Sequence, residues 1–321
     1  MEAKDDADDH SVWAAFAASA IDPKVDAFNR MTAQALSQVA PLYTKSIAVA
    51  RQERADWTRI SAVSDAFWLD VPEARSALRV RVLRANSAKA VYLHVHGGGW
   101  VLGGADHQDG LLDELRVRAG VSVVSVEYRL APEHPFPAAL DDVEDALRWV
   151  LQDGAQSFGT RLVIVGGESA GANLVVSALT RLRGHPAFSG VVAACLHYGT
   201  FDLMGTPSLW TAAPGTPFLD PALSKWFREH YAHPDRHRDP EVSPMYADLT
   251  GLPPAQFLIG TVDVVRDDTL FMWARWRAAG NRAELVALPG GLHGLLEMRT
   301  PLTKLGRERV VSFMRRAVAG E

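Results

Sequence analysis

From about residue 90 onward, short apolar runs alternate with helix-like segments, and that alternation constrains the fold more than any other feature. The runs "AVYLHVH", "VSVVSVEY", "RLVIVGG", "VVAACLHY", "AQFLIGT" and "AELVALPG" read as buried strands, with helix-like stretches near 107–119, 138–152, 170–183 and 267–279 between them. Two more strand-like runs come first, "RISAVSDAFWL" and "ALRVRVLR", the second with Leu78, Val80 and Val82 alternating. The pattern predicts an α/β fold, a mostly parallel sheet of about eight strands covered by helices on both faces.

Two segments do not fit that scheme. Residues 11 to about 57 read as helical throughout: "DPKVDAFNRMTAQALSQVA" opens on an Asp-Pro start signal, and Val25, Phe28, Leu36 and Val39 can share one face. The stretch 200–250 is rich in proline, histidine and aromatics. Both are expected over the carboxyl edge of the sheet, where open α/β sheets place their ligands. The predicted division is therefore a helical segment 1–57, an α/β domain formed by 58–199 and 251–321, and an insertion 200–250. Within the first, the acidic residues 1–10 are expected to fray.

Composition excludes several partners. With 48% hydrophobic and 22% charged residues, the 321-residue chain can bury a large core. Its net charge of −5 argues against nucleic acid and anionic membranes as partners. No apolar stretch approaches the ~18 residues of a membrane span. The start "MEAKDDADDH" lacks the basic-then-apolar pattern of a secretory signal, so a cytoplasmic location is expected. The single cysteine, Cys195, lies in an apolar run and is expected in the core.

Chemistry concentrates at strand ends. In "VIVGGESAGANLVV" (163–176) a strand-like run turns abruptly into a helix-like one, and Ser169 sits at the hinge with Gly167 and Gly171 on either side. So tight a turn forces its central residue into a strained backbone, needs small neighbours, and holds the hydroxyl out into a cleft. A serine is a weak nucleophile unless a base activates it and a third group orients the base. His293, in the glycine-rich loop "LPGGLHGLLE" after the last strand-like run, is the best placed of 11 histidines. The preceding strand end, "FLIGTVDVVRDD", offers Asp263, Asp267 and Asp268. The order Ser, Asp, His is the one expected of a serine on an elbow in a parallel sheet.

Three glycines in "YLHVHGGGWVLGG" leave backbone N–H groups unshielded, so Gly98 and Gly99, with Ala170, could hold an oxyanion. "HVH" also spaces two imidazoles on one strand face, but no third ligand is evident and no metal is expected. His94 and His96 are read as structural, with His96 steadying the glycine loop. Glu168 is read as a support that faces away from Ser169. Trp100 and Trp210 are candidate walls of a substrate pocket, whereas Phe218, Trp226 and Phe227 are read as core. Arg129, Glu133 and Asp141 are read as one structural polar network.

The motifs "HGGGW" (96–100), "YRLAPEHPFPAALDD" (128–142), "GESAGAN" (167–173), "DVVRDD" (263–268) and "HG" (293–294) resemble the hormone-sensitive-lipase-like branch of the α/β-hydrolases, which includes many microbial carboxylesterases. The resemblance covers about 90–295. It implies Ser169 as nucleophile, Asp263 as acid, His293 as base, and Gly98, Gly99 and Ala170 as oxyanion hole. It also implies an eight-stranded sheet under a helical cap built from the two segments set apart above. The chain departs from the usual pattern at Glu168, at Glu127 before Tyr128 and at "DVV", none of which removes a catalytic atom. The function implied is a serine carboxylesterase acting on short- to medium-chain acyl esters through an acyl-enzyme, without cofactor or metal. The same triad serves lactonases, amidases and acyltransferases, and a ligand-binding member of the fold is the remaining alternative. The expected partner is a small-molecule ester, and the reading admits a homodimer.

Overall fold

The computed structural model describes residues 13–58 and 63–321. The acidic stretch 1–10 and the first residues of "RISAVSDAFWL" lie outside the described residues. Eight strands form one sheet: β1 (Phe67–Asp70), β2 (Arg79–Leu83), β3 (Ala90–Val95), β4 (Val121–Val126), β5 (Val163–Glu168), β6 (Val191–His197), β7 (Ala255–Gly260) and β8 (Ala283–Leu288). Their spatial order is β1-β2-β4-β3-β5-β6-β7-β8. β1 and β2 pair antiparallel, as do β2 and β4, and every other pairing is parallel. Every residue of β3, β4, β5 and β7 is buried, as strands covered on both faces must be.

The order of strands decides where a site can form. From β3 the chain moves outward to β4, then returns past β3 to lay β5 on its other side. At such a reversal the loops leaving two neighbouring strands diverge and open a crevice at their carboxyl ends. The register sets Val95 at the end of β3 against Gly167 near the end of β5. The "HGGGW" loop and Ser169 therefore leave the sheet side by side.

Helices α3 (Asp109–Leu115), α4 (Ala138–Trp149), α5 (Ala170–Leu182), α8 (Arg266–Ala278) and α9 (Thr303–Ala319) flank the sheet. α4 and α5 pack together, with α5 on β5, while α9 lies on β6 and β7 and against the turn that follows α3. The C-terminal helix α9 has no counterpart among the helix-like stretches read from sequence. It buries Val310, Val311, Phe313 and Met314.

The two segments set apart in the sequence contain short helices. The N-terminal one holds α1 (Pro23–Leu36) and α2 (Ile47–Thr58), and the insertion holds α6 (Pro207–Trp210) and α7 (Pro221–Tyr231). α1 starts as its Asp-Pro signal predicts: Asp22 caps it, its carboxylate accepting the Lys24 N–H at 2.7 Å. It is shorter than expected and ends at Leu36, five residues before Pro41, which disfavours helical backbone ahead of it. Of the expected apolar face, Val25 is buried, Phe28 and Leu36 are half-buried, and Val39, beyond the helix, is exposed. The segment reaches the ends of the strands: the Asn29 side chain donates to the Gly290 carbonyl after β8, at 2.8 Å. Among the described residues, no helix is long and apolar enough to cross a membrane.

Candidate active site

Ser169 follows β5 directly and is the N-cap of α5, with φ +55° and ψ −119°. That left-handed backbone costs a serine energy, and close packing around it holds the turn. A Cβ at Gly167 would lie 2.4 Å from the Val95 carbonyl oxygen, and one at Gly171 only 2.0 Å from the same atom. The small residues on either side of Ser169 are thus required by the end of β3, as well as by the turn itself.

The Ser169 Oγ lies 3.0 Å from His293 Nε2, and His293 Nδ1 lies 2.9 Å and 3.1 Å from the two Asp263 oxygens. An ionised carboxylate only accepts, so Nδ1 carries the imidazole proton and Nε2 is left to accept from the serine hydroxyl. Asp263 is buried and also accepts the Val265 N–H at 3.0 Å. A hydroxyl bonded to an imidazole whose far side is held by a carboxylate is an activated nucleophile. The edge of Tyr198, at the end of β6, packs on the His293 ring with centroids 5.2 Å apart. No sequence motif marks that tyrosine.

Asp267 and Asp268 serve elsewhere. The Asp267 carboxylate accepts the Ser208 N–H at 2.8 Å. One Asp268 oxygen accepts the N–H groups of Phe201 and Asp202, and the other the Thr206 hydroxyl. Burial pushes the Asp268 carboxyl up to about 7 despite those three donors, with the Asp202 charge adding to the shift. Both acids therefore tie the start of the insertion to the first turn of α8.

The glycine loop lies against the elbow, and a Cβ at Gly97 would stand 3.4 Å from that of Ser169. Gly98 and Gly99 adopt φ of +118° and +61°. A Cβ at Gly98 would strike the Leu102 carbonyl oxygen at 2.2 Å, and one at Gly99 the Phe227 ring at 2.2 Å. Among the described residues, the N–H groups of Gly98, Gly99 and Ala170 have no acceptor within the protein. Free backbone donors on the loops beside a serine hydroxyl are what a developing oxyanion needs.

Glu168 joins the two halves from behind. Its carboxylate accepts from the Gly97 N–H at 2.6 Å, Gln108 Nε2 at 2.5 Å and His94 Nε2 at 3.0 Å. Burial would raise its pKa, but His94 and these donors outweigh it and lower it to about 2. His94 closes the chain on the Ser125 hydroxyl at 2.9 Å. His96 stacks on Tyr128 and bonds the Gly97 carbonyl, and burial pushes its pKa down to about 4, which keeps it neutral. The "HVH" pair is thus spent on hydrogen bonds. Among the described residues, no group of three or more His, Cys, Asp or Glu side chains could hold a metal.

The tryptophans lie apart from each other. Trp100 is buried and stacked on Tyr231, centroids 4.4 Å apart, so its face is occupied by protein. Trp210 is 66% exposed at the end of α6. Arg129, Glu133 and Asp141 do not form one network. Arg129 forks Asp142, Glu133 pairs with Arg51 of α2, and Asp141 accepts from Arg181 of α5.

Residues 92–297 match the family model described as the alpha/beta hydrolase fold. The chain belongs to the α/β-hydrolase family. A carboxylesterase of Mycobacterium tuberculosis, NlhH, is 40% identical to the hydrolase over 224 residues, 66% of this chain and 68% of that protein. An ethyl acetate hydrolase of Pseudomonas putida is 32% identical over 217 residues, 66% of this chain and 67% of that one. In structure, the hydrolase is similar to a hyperthermophilic esterase of the archaeon Pyrobaculum calidifontis. That likeness has TM-score 0.83 and 28% identity and covers 94% of this chain and 98% of the other. It is also similar to an esterase of the bacterial hormone-sensitive lipase family, with TM-score 0.80 and 28% identity, covering 93% and 99%. The hydrolase therefore stands in the hormone-sensitive-lipase-like branch.

Proposed function

We propose that this carboxylic ester hydrolase works through an acyl-enzyme formed on Ser169, with short- to medium-chain esters as substrates. His293 Nε2 takes the Ser169 proton as the oxygen attacks the ester carbonyl, while Asp263 holds the imidazole by its Nδ1–H and stabilises the imidazolium. The N–H groups of Gly98, Gly99 and Ala170 receive the oxyanion, and His293 then returns the proton to the departing alcohol. Water, activated by the same imidazole, releases the acid. The observation that carries this reading is the hydrogen-bonded chain from Ser169 through His293 to Asp263, on an elbow whose backbone is left-handed. The small ester named for the Pseudomonas putida relative supports a short acyl chain.

Residues 1–57 and 200–250 act in this reading as a cap over the crevice. The Asn29 bond to Gly290 and the Phe227 ring against Gly99 support that placement. Trp210 stands at the rim of the substrate path, and Trp100 shapes the pocket from below through its stack on Tyr231. Cytoplasmic residence, which the buried unpaired thiol of Cys195 suits, and a homodimer complete the reading. Cell fractionation and sedimentation test those two points.

A fluorophosphonate adduct on Ser169, seen by intact mass, with turnover of a p-nitrophenyl ester series tests the chemistry. An unmodified, inactive protein would refute it. Removing residues 1–45 tests the cap. The expected result is a changed chain-length profile, and an unchanged one would limit the pocket wall to the insertion.

A further inference from the structure

Helix α2 carries two arginines one turn apart, Arg51 and Arg54. Each grips a different catalytic loop at the equivalent place. Arg51 donates from Nε to the Val101 carbonyl at 2.9 Å and from Nη2 to the Ala131 carbonyl at 2.9 Å, and forks the Glu133 carboxylate. Val101 closes the turn after the glycines, its N–H bonded to the Gly98 carbonyl. Arg54 donates from Nη2 to Glu297 at 2.6 Å. Glu297 closes the turn after His293, its N–H bonded to the Gly294 carbonyl at 3.0 Å. A single rigid element outside the sheet thus holds both loops that flank Ser169.

We propose that α2 is a positioning clamp: Arg51 fixes the oxyanion loop, and Arg54, through Glu297, fixes the loop that carries His293. This rests on the roles proposed above for Ser169, His293 and the glycine N–H groups. A positioned imidazole and a positioned oxyanion hole must keep their mutual spacing while charge moves, and a misplacement near 1 Å costs about 10²-fold in rate. Two loops hung from separate strands drift independently, whereas two loops pinned to one helix move together.

The Arg54–Glu297 pair is also an electrostatic neighbour of the base. Both side chains are largely buried. Burial and the Glu168 charge raise the Glu297 carboxyl, while Arg54 and His293 oppose that shift. The charges facing this carboxyl are therefore Arg54 from α2, Glu168 from the elbow and His293 itself, with Asp263 on the far side of the imidazole.

The test combines steady-state turnover of p-nitrophenyl acetate with the rate of fluorophosphonate labelling, in the full-length protein. Arg54→Met and Arg51→Met should each lower kcat and the labelling rate about tenfold, with KM for this smallest ester within about twofold of the parent. Arg54→Lys, which keeps the charge, should recover most of the loss. Glu297→Gln keeps a hydrogen bond to Arg54 but loses a negative charge. It should lower kcat and the labelling rate by less than the Arg54→Met change, because Arg54 keeps a partner at that position. If the arginine variants fail to fold, Arg54→Lys and Glu297→Gln still decide. Parent rates in the arginine variants with only a lower Tm, or parent rates in Glu297→Gln, would overturn the clamp. A parent protein that fluorophosphonate never labels would instead refute the assignment of Ser169.

Discussion

The crevice between β3 and β5 and the N-terminal helices α1 and α2 are held by opposite kinds of contact. In the crevice, backbone meets backbone: the Val95 carbonyl sits where Cβ atoms on Gly167 and Gly171 would be, and the one charged group, Glu168, is buried and fully engaged. From those helices, long polar side chains reach out to the loops: Asn29, Arg51 and Arg54 grip the carbonyls or carboxylate of Gly290, Val101 and Glu297. Close-packed glycines allow one geometry and tolerate no substitution. Polar tethers from long side chains depend on individual bonds and lose position when a single partner is removed. On the function proposed above, the comparison separates a part of the molecule that sets the chemistry from a part that adjusts access and alignment.

Five substitutions sharpen that separation, beginning with the largest effect. Ser169→Ala should lower turnover by about 10⁴-fold or more while leaving Tm nearly unchanged, because the hydroxyl packs little. Substantial residual activity in purified protein would place the chemistry elsewhere. Asp263→Asn should cost about 10³–10⁴-fold in kcat, whereas Asp267→Asn, acting on the insertion through Ser208, should cost less than about tenfold. The reverse ranking in a kinetic comparison would exchange the two acids.

Glu168→Gln should retain measurable activity and lose about 1–3 kcal/mol of stability, since a buried partner set is left incomplete. The Glu168 pKa falls from 4.5 to about 2 on folding. Its stabilisation is therefore present above pH 4.5 and is lost as the pH falls from there toward 2. Urea titrations across that window should show a flatter acid loss in the variant. Full inactivation with unchanged stability would make Glu168 a participant in the reaction.

Asp268→Asn has the smallest expected effect and the opposite sign. Asp268 is raised from 3.8 to about 7, so the folded state holds a proton that the unfolded chain releases, and stability declines as pH rises through that window. One amide oxygen can accept both N–H bonds that Asp268 Oδ1 now accepts, so the variant should fold and lose that decline. Tm measured from pH 5 to 8 checks this, and an unchanged slope would assign the pH dependence to another group.

Legibility in the sequence followed the same division. The eight strands and the residues at their carboxyl ends stand out because periodicity and glycine placement are local signals. Ser169, Asp263 and His293 could each be singled out from a stretch of fewer than about fifteen residues. Glu168 could be read as a support because consecutive side chains at a sharp turn diverge. Arg51, Arg54 and Glu297 carried no such mark. An arginine on a surface helix looks alike whether it faces water or bridges to a loop more than 200 residues away. For the same reason Arg129, Glu133 and Asp141, close in sequence, were grouped together although their partners lie on different elements. Tyr198 was hidden because its role comes from packing at the end of β6. α9 was passed over because it follows the last motif-bearing loop.

The missing side chain at position 99 has a consequence for how such an active site diversifies. Its place is filled by the Phe227 ring, supplied from a helix more than a hundred residues further along the chain. The volume beside the backbone donors is therefore encoded at a site that forms no bond with the reacting atoms. On the function proposed above, exchanging Phe227 for a smaller residue would open that volume without removing any group that takes part in the reaction. In that reading, a lineage carrying this arrangement can change the size of acyl group it accepts from a helix outside the catalytic loops, while the inherited machinery stays fixed.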